Sequence, residues 1–244
     1  MKKILAYPLS VIYYFVFGIV LVVFHPIQWI AFKLGGYKGH KITVDWLNFF
    51  VTGCLYLLGT KISFNNPYKF PKNVPLIIVS NHQSMNDIPP YFWFLRKVHP
   101  KFVSKKELGK GIPSVSINLR QGGSCLIDRK DPKQALKAII NFGKYIEKNN
   151  YSAIIFPEGT RSRNGEPKRF SENGLKMLVR SAPSAYVVPI TINNSWKFLQ
   201  YGGFPMEIGV HLKFDVHKPI KADSMKFEQL FEKVVTEIKS KVVV

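Results

Sequence analysis

Residues 74–87 read VPLIIVSNHQSMND. An apolar run of strand length, PLIIVS (75–80), passes directly into a polar cluster. A short run rich in Ile and Val and bounded by turn-forming residues reads as a fully buried strand. The cluster that follows holds His82 and Asp87 with four residues between them, the pattern H-x-x-x-x-D. A histidine and a carboxylate at the end of a buried strand raise the question of chemistry at a sheet edge.

Working outward, the same alternation continues. SCLIDR (124–129), SAIIFPEG (152–159) and AYVVPITI (185–192) read as further strands. In MEIGVHLKFDV (206–216), Ile208, Val210, Leu212, Phe214 and Val216 point one way at a period of two. Between them lie helical segments. DIPPYFWFLRKV (87–98) is helical after its prolines, and DPKQALKAIINFGKYIEKN (131–149) is the clearest helix. Asp131 caps that helix, Pro132 occupies its first position, and apolar residues recur at helical spacing from Ala135 to Ile146. GLKMLVRSA (174–182) is a short helix, and 227–238 places Phe227, Leu230, Phe231, Val234 and Ile238 on one face. Strands alternating with helices predict an α/β fold, a mixed, largely parallel sheet flanked by helices.

The N-terminus is different. Ile4 to Phe24 is free of charge, about the length a helix needs to cross a hydrocarbon core. The run exceeds a signal peptide's apolar region, and no Ala-x-Ala-like site follows it. A second stretch, Val44 to Leu58, contains Asp45 and Asn48 and is short for a span. Trp29, Tyr37 and Trp46 suit headgroup depth, and Lys33, Lys38 and Lys41 lie between the two stretches. The expectation is a membrane-associated helical pair over residues 1–62, a hairpin dipping into one leaflet, ahead of an α/β domain over 63–244. A bilayer span and a buried core helix are the alternatives.

The 35 Lys and Arg against 15 Asp and Glu leave a formal charge of +20. Such a balance speaks of partners, whether nucleic acid, an anionic membrane surface or phosphate esters. No RNA-binding signature or zinc spacing supports nucleic acid. Arg96, Lys97, Lys101, Lys105, Lys106 and Lys110 form a basic run suited to docking an acidic carrier. Cys54 and Cys125 sit in apolar contexts and read as small buried hydrophobes.

In α/β sheets, ligands bind beyond the carboxyl ends of the strands. Three of the strands end in polar clusters, NHQSMND, IDRKD and PEGTRSRNGE. An Asp87 carboxylate on one ring nitrogen of His82 fixes the tautomer and frees the other nitrogen to take a proton. Ser84 lacks a G-x-S-x-G elbow and so is weakly suited to be a nucleophile. His82 and Asp87 lack His or Cys neighbours for a metal site. In FPEGTRSRNGE (156–166), Gly159 permits close approach of a ligand, and Thr160 donates a hydrogen bond. Arg161 and Arg163 hold an anion, and Glu158 accepts from a hydroxyl. The loop is not a Walker A motif.

NHQSMND, followed some seventy residues later by FPEGTRS, resembles the glycerolipid acyltransferase family, with the best fit to 1-acyl-sn-glycerol-3-phosphate acyltransferases. GGSCLIDR (122–129) and VVPITI (187–192) fall in the family's order, and FVSKKELGKGIP (102–113) looks like its Lys-Glu-Leu segment. The resemblance covers residues 65–220. It implies direct acyl transfer from acyl carrier protein or acyl-CoA to the free hydroxyl of lysophosphatidic acid, giving phosphatidic acid, without a cofactor or metal. An acyltransferase using a lyso-aminolipid or another lysophospholipid is the alternative. His82 would be the base and Asp87 its orienting partner. Glu158, Gly159, Thr160 and Arg161 match the acceptor-binding motif. Arg129 matches a phosphate contact, with Lys105 or Lys106 adding another, and Pro189 matches the block that shapes the acyl side. Two segments depart from the pattern. Leu126 stands where Phe is usual, and in KRFSENGL (168–175) Lys168 or Arg169 stands in for a phosphate-binding Lys. The implied location is the cytoplasmic face of a bacterial inner membrane.

Overall fold

The computed structural model describes residues 2–244. The chain opens with α1 (Lys2–Cys54) and a tight helical turn over Leu55–Leu58. There follow β1 (Lys61–Asn65), β2 (Leu76–Ser80), α2 (Ile88–Phe94), β3 (Pro100–Lys105) and α3 (Val115–Gln121). Next come β4 (Cys125–Ile127), α4 (Pro132–Asn149), β5 (Ser152–Ile155), α5 (Glu172–Ser181) and β6 (Tyr186–Asn193). The chain closes with β7 (His211–Val216), β8 (Ile220–Lys221) and α6 (Phe227–Lys239).

The sheet runs β1-β7-β6-β2-β5-β3-β4, with β8 on β6. β6, β2, β5, β3 and β4 are mutually parallel, and β7 runs antiparallel to β6. β2 is central, with Val79 facing Ile155 on one side and Pro189 on the other. Its alternate residues supply two cores, as a strand's period of two requires. Leu76 and Ile78 join Phe102, Ile154, Val188 and Phe214 under α1 and α2. Ile77 and Val79 join Ile139, Phe142, Ile155, Leu175, Leu178, Leu230 and Val234 under α4, α5 and α6. The fold is thus a mixed, mostly parallel sheet between helices. Cys54 and Cys125 are buried and unpaired.

The expected helical pair is present, but longer than the sequence suggested. α1 is helical through the expected linker and breaks at Gly36, whose φ of 54° and ψ of −141° favour glycine. Beyond the break the chain folds back, placing Phe24 against Phe50 and Leu21 beside Leu47 and Val51. One side of the pair is open, with Ile4 73%, Phe15 67% and Leu34 85% exposed. The other side closes the sheet. Tyr13, Val44, Cys54, Leu55 and Leu58 belong to the same core as β2.

Three expectations shift. The alternation from Met206 yields a strand only from His211, because Gly209 N–H donates to Leu58 O and ties the preceding residues to the turn. Leu136 lies on the exposed side of α4, whose buried face is Ile139, Phe142, Gly143 and Ile146. Lys101 is no part of a basic docking strip. It is 3% exposed, at the amino end of β3.

Lys101 instead helps to seat α1. Its Nζ donates to Tyr37 Oη at 2.8 Å and lies over the rings of Tyr37 and Tyr151, while Tyr37 Oη meets His99 Nδ1 at 2.8 Å. Burial, with Lys41 nearby, pulls this ammonium down to about 7. Between that value and the unfolded Lys value of about 10.4, the unfolded chain binds more protons, so stability rises with pH across this window. Below it both states are protonated and the cost of the buried cation is fully present. Lys101→Met is therefore expected to flatten the rise. The wild type should gain on the order of 2 kcal/mol between pH 7 and 9 from this group. Urea unfolding in detergent at the two pH values measures the difference, and equal slopes for both proteins would refute it.

Candidate active site

β2 and β5 are parallel neighbours, so the loops after them emerge side by side. The first carries His82. The second begins with Phe156, whose ring stacks on the imidazole with centroids 4.2 Å apart and planes 12° apart. Each residue of NHQS has its own tie. Asn81 acts as a strand extension, donating through Nδ2 to Ile192 O at 2.8 Å and accepting from Ile192 N at 2.7 Å. Gln83 Oε1 accepts from Ser195 N at 2.9 Å, and its Nε2 donates to Gly165 O. Ser84 Oγ accepts from Asn86 N at 3.0 Å and meets Ser195 Oγ at 2.6 Å. Ser84 is therefore the buried cap of the turn Met85–Asp87, not a nucleophile open to substrate.

That turn delivers Asp87, whose side chain is fully buried. Its Oδ2 accepts from Gln83 N at 2.8 Å and Ser84 N at 3.0 Å, and lies 2.8 Å from His82 Nδ1. A carboxylate only accepts, so Nδ1 carries the proton. In the neutral ring, Nε2 is then the lone-pair nitrogen. The His82 side chain is 17% exposed, and Nε2 makes no hydrogen bond among the described residues. The arrangement has the two features a general base needs, a fixed tautomer and an open ring nitrogen.

The second loop is strapped to the first. Glu158 accepts from His82 N through Oε1 and from Lys168 N through Oε2, both at 2.8 Å. Burial raises its carboxyl above the usual range, and the Lys168 and His82 amides oppose that rise. Each oxygen thus already serves a backbone amide, and Glu158 works here as a loop clamp. Ser162 N donates to His82 O at 2.8 Å. Gly159 adopts φ 68°, the left-handed turn that glycine accommodates, and leaves open space beside it. Thr160 is exposed and Arg161 half-buried, one residue from the Ser162 amide. Arg161 forms no ion pair among the described residues, so its guanidinium is available to an anion.

The remaining candidates divide. Lys105 pairs in register with Ile127, so Lys105, Lys106 and, two residues past Ile127, Arg129 gather beyond the carboxyl ends of β3 and β4. All three are exposed on the sheet edge that carries His82. Pro189 is buried inside β6 opposite Val79, and its carbonyl accepts from His217 N. The structure seats it within the sheet, short of the His82 loop. Asn81, Gln83, Phe156 and Ser195 emerge as site-building residues whose roles sequence reasoning missed. Asn81 and Gln83 flank His82 in the motif. Ser195, over a hundred residues away, has no sequence signal.

The family model described as Acyltransferase matches residues 61–193. A 1-acyl-sn-glycerol-3-phosphate acyltransferase of Borreliella burgdorferi is 30% identical over 169 residues, covering 67% of this chain and 66% of that protein. One from Helicobacter pylori is 34% identical over 134 residues, 54% of this chain and 53% of its own. The chain thus spans about half to two thirds of the length of these curated relatives. The crystal structure of the 1-acyl-sn-glycerophosphate (LPA) acyltransferase PlsC from Thermotoga maritima has the same fold. Its TM-score is 0.80 at 24% identity, over 98% of this chain and 95% of that one. The matched segment holds the His82–Asp87 pair and the Glu158–Arg161 loop and makes up more than half of the sequence, and the chain belongs to the acyltransferase family.

Proposed function

We propose that the protein is a lysophosphatidic acid acyltransferase that moves an acyl group from a thioester to the free hydroxyl of the lysolipid, giving phosphatidic acid. The observation that carries this reading is His82, held through Nδ1 by Asp87 at 2.8 Å with Nε2 left open. The relatives' names supply the substrate class.

The chemistry follows from the pair. Nε2 takes the acceptor's hydroxyl proton as that oxygen attacks the thioester carbonyl. The imidazolium formed is stabilised by the buried Asp87 carboxylate. Collapse of the tetrahedral species breaks the carbon–sulfur bond, and His82 returns the proton to the leaving thiolate. An ester and a free thiol result. The side-chain hydroxyl nearest the pair in sequence, Ser84, is occupied as a cap, which favours direct transfer over an acyl-serine.

Arg161 is assigned to the acceptor phosphate, with Lys105, Lys106 and Arg129 as the surrounding positive field. Gly159 and Thr160 shape that loop. The open apolar side of α1, with the net charge of +20, supports seating the site on an anionic membrane. Acyl-ACP and acyl-CoA are both admitted as donors, since the reaction needs only the thioester.

The deciding experiment is thiol release from an acyl-thioester by the purified protein in mixed micelles, with and without lysophosphatidic acid. Release should require the acceptor. Release only with a lyso-aminolipid would keep the chemistry and replace the substrate. His82→Ala is expected to lower turnover by about 10²- to 10⁴-fold while circular dichroism and vesicle binding stay unchanged. Arg161→Ala should raise KM for lysophosphatidic acid by about 10-fold and spare a lysolipid without a phosphate. Unaltered phosphate use by that variant would remove the arginine from the acceptor site.

A further inference from the structure

We propose that Tyr13, on the first apolar helix, is a positioning residue for the His82–Asp87 pair, so that α1 belongs to the catalytic apparatus as well as to the membrane surface. The proposal rests on the acyl-transfer reading above.

Tyr13 Oη donates to Asn86 Oδ1 at 3.1 Å, across 73 residues of chain. Both residues are buried. Asn86 immediately precedes Asp87 in the three-residue turn that carries the carboxylate. The backbone N–H of Asn86 is already given to Ser84 Oγ, and its Nδ2 is buried with no partner. Tyr13 therefore supplies the one hydrogen bond that the Asn86 carboxamide makes among the described residues. Removing the hydroxyl strands the whole buried amide, which then gains by rotating or by drawing the turn toward water. A shift of the turn moves Asp87 relative to His82 Nδ1, because Asn86 and Asp87 share its backbone.

Tyr13 can act as a reference point because it is itself fixed. Its ring stacks on Phe17 and meets Tyr14 edge-on, within the core shared with β2. Tyr14 Oη donates to Gly203 O at 2.7 Å, and Ser10 Oγ accepts from Met206 N at 2.8 Å. Across the same two turns, Val11, Ile12 and Phe15 are exposed at 56%, 46% and 67%. One short piece of helix thus presents an apolar side to its surroundings and a hydroxyl to the catalytic turn. Force on the first side reaches the second through a rigid element.

Tyr13→Phe keeps the ring and removes only the donor. It is expected to lower kcat about 10-fold while KM for acceptor and thioester stays within about twofold, since the lesion lies in base geometry and not in binding. The second readout is the downfield proton resonance of the His82 Nδ1–Asp87 hydrogen bond, assigned by its loss in His82→Ala. It should be sharp in the wild type and broadened or lost in Tyr13→Phe. Asn86→Ala should lower kcat comparably, and the double variant should be no slower than the slower single one. An unchanged kcat in Tyr13→Phe, a loss carried by KM, or losses that multiply would each overturn the proposal. Failure of the wild type to transfer acyl groups would sink the acyl-transfer reading instead. The proton resonance would then decide alone, and a signal equally sharp in wild type and Tyr13→Phe would refute the role of Tyr13.

Discussion

A single carboxylate oxygen, Asp87 Oδ2, gathers three N–H groups in a place closed to water. An isolated buried charge is strongly unfavourable, and one satisfied by several donors is tolerated. Two of the donors are backbone amides of the loop that the carboxylate itself terminates, so the aspartate folds its own loop around itself. The third is the His82 imidazole. The orientation of His82 is thus tied to the donors that Oδ2 gathers, while Oδ1 is buried without a partner among the described residues. The remaining ties, Asn81 to β6, Glu158 to the His82 amide and Phe156 under the ring, hold the loop where the sheet presents it.

The sheet supplies the common edge. Because β2 lies between β5 and β6 and all three run the same way, their carboxyl ends bring together segments about 75 and 110 residues apart. The Glu158–Arg161 loop reaches His82 by topology, and the bonds from the Ser162 amide and the Glu158 carboxylate fix the last few ångströms. Arg161 is carried along on a backbone that is already tied down. With the backbone beneath it already ordered, only the arginine side chain would have to be fixed if it held an anion.

Much of this was legible in the sequence. PLIIVS, SAII and YVVPITI announce buried strands because their Ile and Val runs are short and flanked by turn formers. The His82–Asp87 spacing announces the contact between the two side chains that the structure shows at 2.8 Å. What escaped did so for physical reasons. β1 and β3, KISFN and PKFVSK, mix lysines with apolar residues and look like loops. Their strand character comes from pairing with β7 and β5, a tertiary contribution. Lys101 looked like surface charge because a lysine's burial depends on the aromatic rings it meets, here Tyr37 and Tyr151 from distant segments. The clamp role of Glu158 escaped because sequence does not show which backbone amides will point at it.

The position of β2 also bears on how the chain is made. It is the central strand, yet both of its partners are encoded far downstream, β5 from Ser152 and β6 from Tyr186. During synthesis an apolar strand of five residues must wait unpaired until β5 is made, about 75 residues later, and its second side waits more than a hundred residues for β6. Long-range pairing of this kind is slow and leaves edges open to self-association. α1 and the turn after it are made before β2 and cover one face of this same strand in the finished fold, through Tyr13, Val44 and Leu58. A ribosome carrying this chain therefore presents a greasy helix and an unmatched strand together. Removing the first sixty residues to obtain a more tractable fragment would strip one wall from the sheet and invite aggregation.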